Sequence, residues 1–321
     1  MLRCPPLHRA GREAYVSKVV ILGVFLADAA FRAERLPRLG ETLHGSGFAL
    51  GPGGKGSNQA VAAARAGAKT HFITRLGTDN FGDMAVDLWR RAGVEPVIER
   101  HAEHPTGAAF IFIEAHSGNN AIIISPGVAE TISVADIEAQ QALISGADVF
   151  VTQFEQPLPP ARRALEIARE GKALTILNPA PATDISNDLL ALCDIVTPNE
   201  TEAELLTGVK VVSIADAQQA AMALVARGAG AAIITLGEKG ALYNNGAESV
   251  HVSAVNAGAA VDTTGAGDAF NGALAAALAR KWPAERALRY ASAAAAISVT
   301  RHGTAPAMAS DAEINALLER Q

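Results

Sequence analysis

Val19-Val20-Ile21-Leu22-Gly23-Val24-Phe25 is an unbroken apolar run rich in β-branched residues, the pattern of a strand buried on both faces. Similar short runs recur at Phe150-Val151, Leu174 to Leu177, Ile195-Val196 and Ile233 to Leu236. Helical patterns lie between them. Phe81, Met84, Ala85, Leu88 and Trp89 keep the three- and four-residue spacing of an amphipathic helix, and Ala-rich helices are expected at about 58–66, 159–170, 214–227, 267–280 and 284–300. Strands alternating with helices predict right-handed βαβ units, hence an α/β fold around a central, mostly parallel sheet.

Two stretches break that rhythm. Residues 24–50 and about 97–125 hold strand-like segments with no helix between them. In the second, Ala109-Phe110-Ile111-Phe112-Ile113 and Ala121-Ile122-Ile123-Ile124 flank the turn-forming Ser117-Gly118-Asn119-Asn120, a hairpin signal. Both arms are apolar on both faces, so a small sheet there would lay one face on the main body and hide the other, which a partner chain would do. The expected organisation is an N-terminal extension over 1–17 and one α/β domain over 18–321, with a discontinuous β lid from about 24–50 and 97–125.

Composition narrows the function classes. The chain of 321 residues carries 27 Lys and Arg against 33 Asp and Glu, a net charge of −6. That gives no basic footprint for nucleic acid or an anionic membrane surface. A hydrophobic fraction of 49% with 19% charged residues supports a large core. The apolar stretch Val19 to Ala27 falls far short of the roughly 20 residues that span a bilayer. Residues 1–17 lack the apolar segment of a secretory signal, which points to a cytoplasmic protein. Cys4 and Cys193 are too few for a disulfide framework or a Cys-based zinc site.

Four polar motifs carry the chemistry. Gly51-Pro52-Gly53-Gly54-Lys55-Gly56 contains a literal G-x-G-x-x-G, but it does not directly follow the first buried strand, so it is no dinucleotide fingerprint. Gly rather than Ser or Thr follows Lys55, so it is no Walker A loop either. Glycines let a ligand approach the backbone; with Ser57 as cap of a helix over 58–66, Lys55 and Asn58 would face a polar or anionic guest. Asp262-Thr263-Thr264-Gly265-Ala266-Gly267-Asp268 opens an Ala-rich helix. The amides of Gly265, Ala266 and Gly267 would converge there with the positive end of the helix dipole, a cradle for a phosphoryl group. Asp268 either complements the dipole or accepts a proton from a hydroxyl attacking the cradled phosphorus. Thr197-Pro198-Asn199-Glu200-Thr201-Glu202 reads as a helix cap or as outer-shell ligation of magnesium. Thr235-Leu236-Gly237-Glu238-Lys239-Gly240 reads as a turn or as one wall of a nucleotide pocket.

Taken in order, these motifs resemble the PfkB-type carbohydrate kinases, and within them the ribokinases, from about Val19 to the C-terminal helix. Ala27-Asp28, Gly40-Glu41-Thr42, the glycine loop with Gln59-Ala60-Val61-Ala62, Gln153-Phe154-Glu155, Asn178-Pro179-Ala180-Pro181, Thr197 to Glu202, Thr235 to Gly240 and Asp262 to Asp268 follow the family's sequence. The resemblance implies a ribokinase-like three-layer α/β/α fold and an ATP-dependent kinase that phosphorylates a sugar's primary hydroxyl, ribose giving ribose 5-phosphate. It makes Asp268 the catalytic base and Gly265, Ala266 and Gly267 the anion hole. Asp28, Gly54, Lys55, Asn58 and Glu155 would hold the sugar, and Asn199, Thr235, Gly237, Glu238, Gly240, Gly267 and Ser292 the ATP. Asn199 and Glu202 would handle Mg²⁺ indirectly; Asp262, Thr264, Ser298, Arg301, Gly303 and Ala307 match a potassium site. The family's lid often interlocks two subunits, so a homodimer through the lid is expected.

Two positions depart from the family pattern. Leu26 stands where the family usually has Asn, and Ala307 where ribokinases tend to have Ser. A Leu cannot pair with a sugar hydroxyl, and the loss of a buried pairing, about 1–3 kcal/mol, is enough to shift which sugar is preferred. A deoxypentose, a tetrose or a nucleoside is the alternative substrate. A sugar or nucleotide sensor without turnover is the alternative from another class, which an intact Asp268 and Gly265-Ala266-Gly267 disfavour. Ala307 removes a side-chain donor and implies weaker potassium dependence.

Overall fold

The computed structural model describes residues 17–320. Its strands are β1 (Lys18–Leu22), β2 (Leu26–Ala33), β3 (Gly47–Gly53), β4 (Lys69–Gly77), β5 (Val94–His101), β6 (Thr106–Glu114), β7 (Asn120–Gly127), β8 (Val149–Thr152), β9 (Leu174–Leu177), β10 (Ile195–Val196), β11 (Ala232–Thr235), β12 (Ala241–Asn244) and β13 (Ser249–Val252). Nine of them form one sheet in the order β13-β12-β11-β10-β9-β8-β1-β4-β5. Its run from β11 to β5 is parallel, and β12 pairs antiparallel with both neighbours.

β1 lies inside this sheet, and its side chains alternate between two cores. Val19 and Ile21 join Phe72, Trp89, Phe270 and Leu274 on one side, while Val20 and Leu22 join Phe150, Leu165 and Leu224 on the other. That is the period-two consequence of an all-apolar strand, and it accounts for helices on both faces. The helices Leu158–Glu170, Ile214–Ala226, Ala266–Ala279 and Ala284–Ser298 agree with the sequence reading to within two residues at each end. Trp89 is fully buried edge-on to Phe25 and Phe72, and its Nε1 donates to Ser57 Oγ at 2.9 Å.

The second sheet has the order β3-β2-β6-β7, with β2 and β6 parallel and the outer pairs antiparallel. Three expectations need correction. Residues 97–101 belong to β5, which pairs in parallel with β4 at the edge of the large sheet, not to the lid. Ser17 is buried, and its carbonyl accepts from Lys69 N, so it belongs to the body; the rest of the expected extension lies outside the described residues. The helix after the glycine loop runs Lys55–Arg65 with Gly54 as its cap, so Ser57 is an interior residue. Gly54 has φ +85°, and a Cβ there would meet Val24 O at 2.5 Å. Only glycine fits so close an approach, and this lets the helix begin three residues early.

Candidate active site

The polar motifs gather outside the carboxyl ends of β1, β8, β9, β10 and β11, where open α/β sheets bind ligands. Two helices frame them. Lys55–Arg65 crosses Ala266–Ala279 so closely that a Cβ on Gly272 would lie 2.4 Å from Gln59 O and 2.5 Å from Ala62 Cβ. This contact sets Asn58 and Gln59 beside the first turn of the second helix. Asn58 Nδ2 donates to Asp268 Oδ2 at 2.9 Å, and Gln59 Nε2 donates to Asp268 Oδ1 at 3.1 Å. Asp268 is 7% exposed. Burial pushes its carboxyl above the usual range, and Lys55, Asn58 and Gln59 oppose that shift. Asn58 Oδ1 is buried with no hydrogen-bond partner among the described residues, an acceptor turned toward no protein donor.

Lys55 sits among carboxylates. Burial works against its charge, but Asp268, Glu155 and Glu202 together hold the ammonium above its ordinary range. Lys55 N also donates to Glu155 Oε2 at 2.7 Å. Burial, with Asp268 nearby, raises Asp28 to about 6. Burial likewise raises Glu155 to about 7, against the pull of Lys55. Asp28 reaches the site because β2 runs beside Gly53, where a Cβ would sit 2.1 Å from Asp28 Oδ2. Leu26, two residues earlier, shares that face of β2, is 3% exposed and abuts Gly107 with Cδ2. Clustered acids with raised values around one ammonium mark a site built for proton transfer or anion handling.

Gly265 caps the helix Ala266–Ala279 with φ +80°. Ala266 N turns to Thr263 O at 3.3 Å, while a Cβ on Gly267 would meet, beyond its own helix backbone, nothing within 4 Å among the described residues. The first turn therefore opens at Gly267 with the helix dipole behind it, a place for an anion.

The nucleotide-pocket candidates other than Ser292, which lies in the helix Ala284–Ser298, follow β10 and β11. Asn199 and Glu202 form a reciprocal capping box: Glu202 N donates to Asn199 Oδ1 at 2.8 Å and Asn199 N to Glu202 Oε2 at 3.0 Å. The capping reading is thus realised, while burial raises Glu202, which also feels Lys55 and Asp268. An isolated bridge joins Asn199 to Thr235, and Thr235 N donates to Pro198 O. Gly237 and Glu238 are exposed beyond it. Gly240, φ +94°, is required by packing, since a Cβ there would meet Val252 O at 1.9 Å. Ser292 is buried, and its Oγ has no partner among the described residues.

Two distant segments meet at Asp262. Its carboxylate accepts from Thr264 N at 2.9 Å and from Gly303 N at 3.0 Å. Burial opposes its charge, yet these amides hold it below the usual carboxylate range. Ser298 Oγ donates to Ala295 O, and the Arg301 guanidinium pairs with Glu313; being a cation itself, Arg301 has only its backbone carbonyl to offer a cation. Ala307 is buried, and Thr304 Oγ1 ties this loop to Pro52 O at 2.7 Å. Among the described residues no three His, Cys, Asp or Glu side chains cluster as metal ligands, and no helix is long and apolar enough to cross a membrane.

Gln59 was missed as a site residue by the motif reading. Its signal is tertiary: it meets Asp268 across 209 positions of chain, and nothing local in Gln59-Ala60-Val61-Ala62 separates it from an ordinary helix amide.

The profile of pfkB family carbohydrate kinases matches residues 16–311. The chain is 39% identical to a ribokinase of Haemophilus influenzae over 286 residues, 89% of this chain and 93% of that one. It is 35% identical to a deoxyribokinase of Salmonella typhi over 302 residues, 94% of this chain and 98% of that one. The structure of Arabidopsis thaliana ribokinase complexed with ribose and ATP superposes with a TM-score of 0.88 at 31% identity, covering 95% of this chain and 99% of that one. With its family profile spanning most of the chain and its length matched almost end to end, the chain belongs to the pfkB family of carbohydrate kinases.

Proposed function

We propose that this enzyme transfers the γ-phosphoryl group of ATP to the primary hydroxyl of a pentose, with ribose giving ribose 5-phosphate. One observation carries the reading: a buried aspartate in the first turn of a helix, Asp268, held on both oxygens by amide donors with the Lys55 ammonium among the neighbouring acids. Asp268 takes the proton of the attacking hydroxyl, and the helix N-terminus following Gly265, open at Gly267, receives charge developing on the phosphoryl oxygens. Lys55 offsets charge from the phosphate side. Asp28, Gly54, Asn58 and Glu155 hold the sugar, with Asn58 Oδ1 as an acceptor for a hydroxyl. Asn199, Thr235, Gly237, Glu238, Gly240 and Ser292 line the ATP pocket, and an ATP-dependent reaction supports work in the cytoplasm. Positioning does most of the catalysis, because a loose phosphoryl transition state asks little covalent chemistry of the protein.

Oxygen donors suit the two cations. When bound with ATP, Mg²⁺ would neutralise phosphate charge; Glu202, with Asn199 as its partner, would reach it through water. A potassium ion would draw on Asp262, which is held ionised, and on Thr264, Ser298 and the backbone carbonyls at Arg301, Gly303 and Ala307. The lid supports a homodimer. Phe31, Phe48, Leu50, Phe110 and Ile123 share the face opposite Asp28, with Phe48 62% and Ile123 69% exposed.

Leu26 favours a second substrate, a pentose without a hydroxyl where the sugar meets β2, and the deoxyribokinase relative agrees with it. Sugar-dependent ADP release with ATP, Mg²⁺ and K⁺ across pentoses, deoxypentoses, tetroses and nucleosides tests both. Turnover of ribose supports the first and preference for a deoxypentose the second. ATP binding without turnover of any sugar would leave a sensor.

A further inference from the structure

We propose that Gln59 is the positioning residue for Asp268, delivering one fixed N–H to Oδ1 so that the carboxylate presents its remaining lone pairs to the cleft. The proposal rests on Asp268 acting as the base.

A chain of side-chain amides fixes the direction of this contact. Asn178 Nδ2 donates to Thr197 O at 3.1 Å, and a backbone carbonyl can only accept. Asn178 Oδ1 must then face a donor, and it receives Gln59 Nε2 at 3.1 Å. Gln59 Oε1 is left to accept, and Gln153 Nε2 donates to it at 2.6 Å. With both ends set, Gln59 can offer Asp268 only an N–H. Gln59, Gln153 and Asn178 are all buried, so no water competes for these bonds. Gly272 brings the two helices close enough for the contact.

Asp28, Glu155 and Glu202 add negative charge around Asp268, and Lys55 is the cation facing it. In that surrounding, an N–H on Oδ1 favours the ionised base and fixes its plane. Asn58 also donates to Asp268, but its amide oxygen has no partner among the described residues, so its orientation follows the substrate; that of Gln59 does not.

The test is the pH profile of kcat for Gln59→Met, measured beside the wild-type enzyme with saturating ATP and sugar. Removing a hydrogen bond to a buried charge should lower kcat at neutral pH by about ten- to hundredfold and move the acid limb of kcat upward by about one pH unit or more. The KM values for sugar and ATP should stay within about twofold. Gln153→Met breaks the same chain one link away and should leave the acid limb in place. If Gln59→Met does not fold, Gln59→Glu keeps the length and should move the limb further up, since it sets a like charge against Asp268. An unmoved limb, a loss carried by KM, or an equal shift in Gln153→Met would overturn the assignment. Absence of sugar-dependent ADP release from wild type would instead overturn the kinase reading beneath it.

Discussion

Asp268→Asn changes one oxygen to an amide in the middle of the site. Two effects on stability oppose each other. The new NH₂ meets either Gln59 Nε2, a fixed donor, or Asn58, which must turn its Oδ1 toward it, and an unmade buried hydrogen bond costs about 1–3 kcal/mol. The substitution also removes a buried charge from beside Asp28, Glu155 and Glu202. Burial raises the Asp268 carboxyl in the folded chain, so its ionisation disfavours folding at neutral pH, and neutralising it returns that energy. The two act in opposite directions, so the thermal midpoint should fall by less than the lost hydrogen bond alone would cause. Catalysis has no such compensation, because an amide cannot accept the hydroxyl proton. General-base loss is worth about 10²–10⁴ in rate, or about 3–5 kcal/mol of barrier. A coupled ADP-release assay should therefore show kcat down at least a hundredfold, with ATP affinity from calorimetry within about threefold of wild type. Turnover within tenfold of wild type would refute Asp268 as the base. Lost ATP binding would refute the local character of the effect.

Leu26→Asn should raise kcat/KM for ribose relative to 2-deoxyribose by about tenfold, while lowering stability because Leu26 is 3% exposed within the core; an unchanged ratio in competition kinetics would remove position 26 from the sugar site. Gly272→Ala forces a methyl to within 2.4 Å of Gln59 O; overpacking of this kind costs about 1–3 kcal/mol, and the displaced helix should take kcat down with the thermal midpoint. Glu155 is raised from 4.5 to about 7 and Asp28 from 3.8 to about 6. The folded chain thus holds more protons than the unfolded one between about pH 4 and 7. Stability from these two groups is full below the unfolded values and is lost as pH rises through about 6 and 7. Glu155→Gln should flatten the decline in thermal midpoint of the ligand-free protein between pH 5.5 and 8, and an unchanged slope would count against the burial assigned to that acid.

Elements whose cause is local were legible in the sequence. Val19 to Leu22 read as doubly buried because every residue is apolar, and alternate residues do enter opposite cores. Asp268 stood out as a candidate because a glycine turn and an acid in the first helical turn lie within a few residues. Ser57 misled because Ser before a helix reads as a cap, whereas the cap is Gly54, whose positive φ and close approach to Val24 O leave no room for a side chain. Residues 97–101, expected in the lid, belong to the large sheet because a strand's pattern names no partner; only pairing with β4 does. Gln59 lay hidden for the same reason, since its role exists only once Asp268, Asn178 and Gln153 converge on it.

The central claim is phosphoryl transfer to a primary hydroxyl, and the ³¹P spectrum of the product formed from ATP and ribose tests it directly. The account predicts a phosphomonoester resonance split by the two protons of a CH₂ carbon, growing in step with ADP and at least a hundredfold more slowly with Asp268→Asn. A resonance split by one proton, or inorganic phosphate alone, would contradict it.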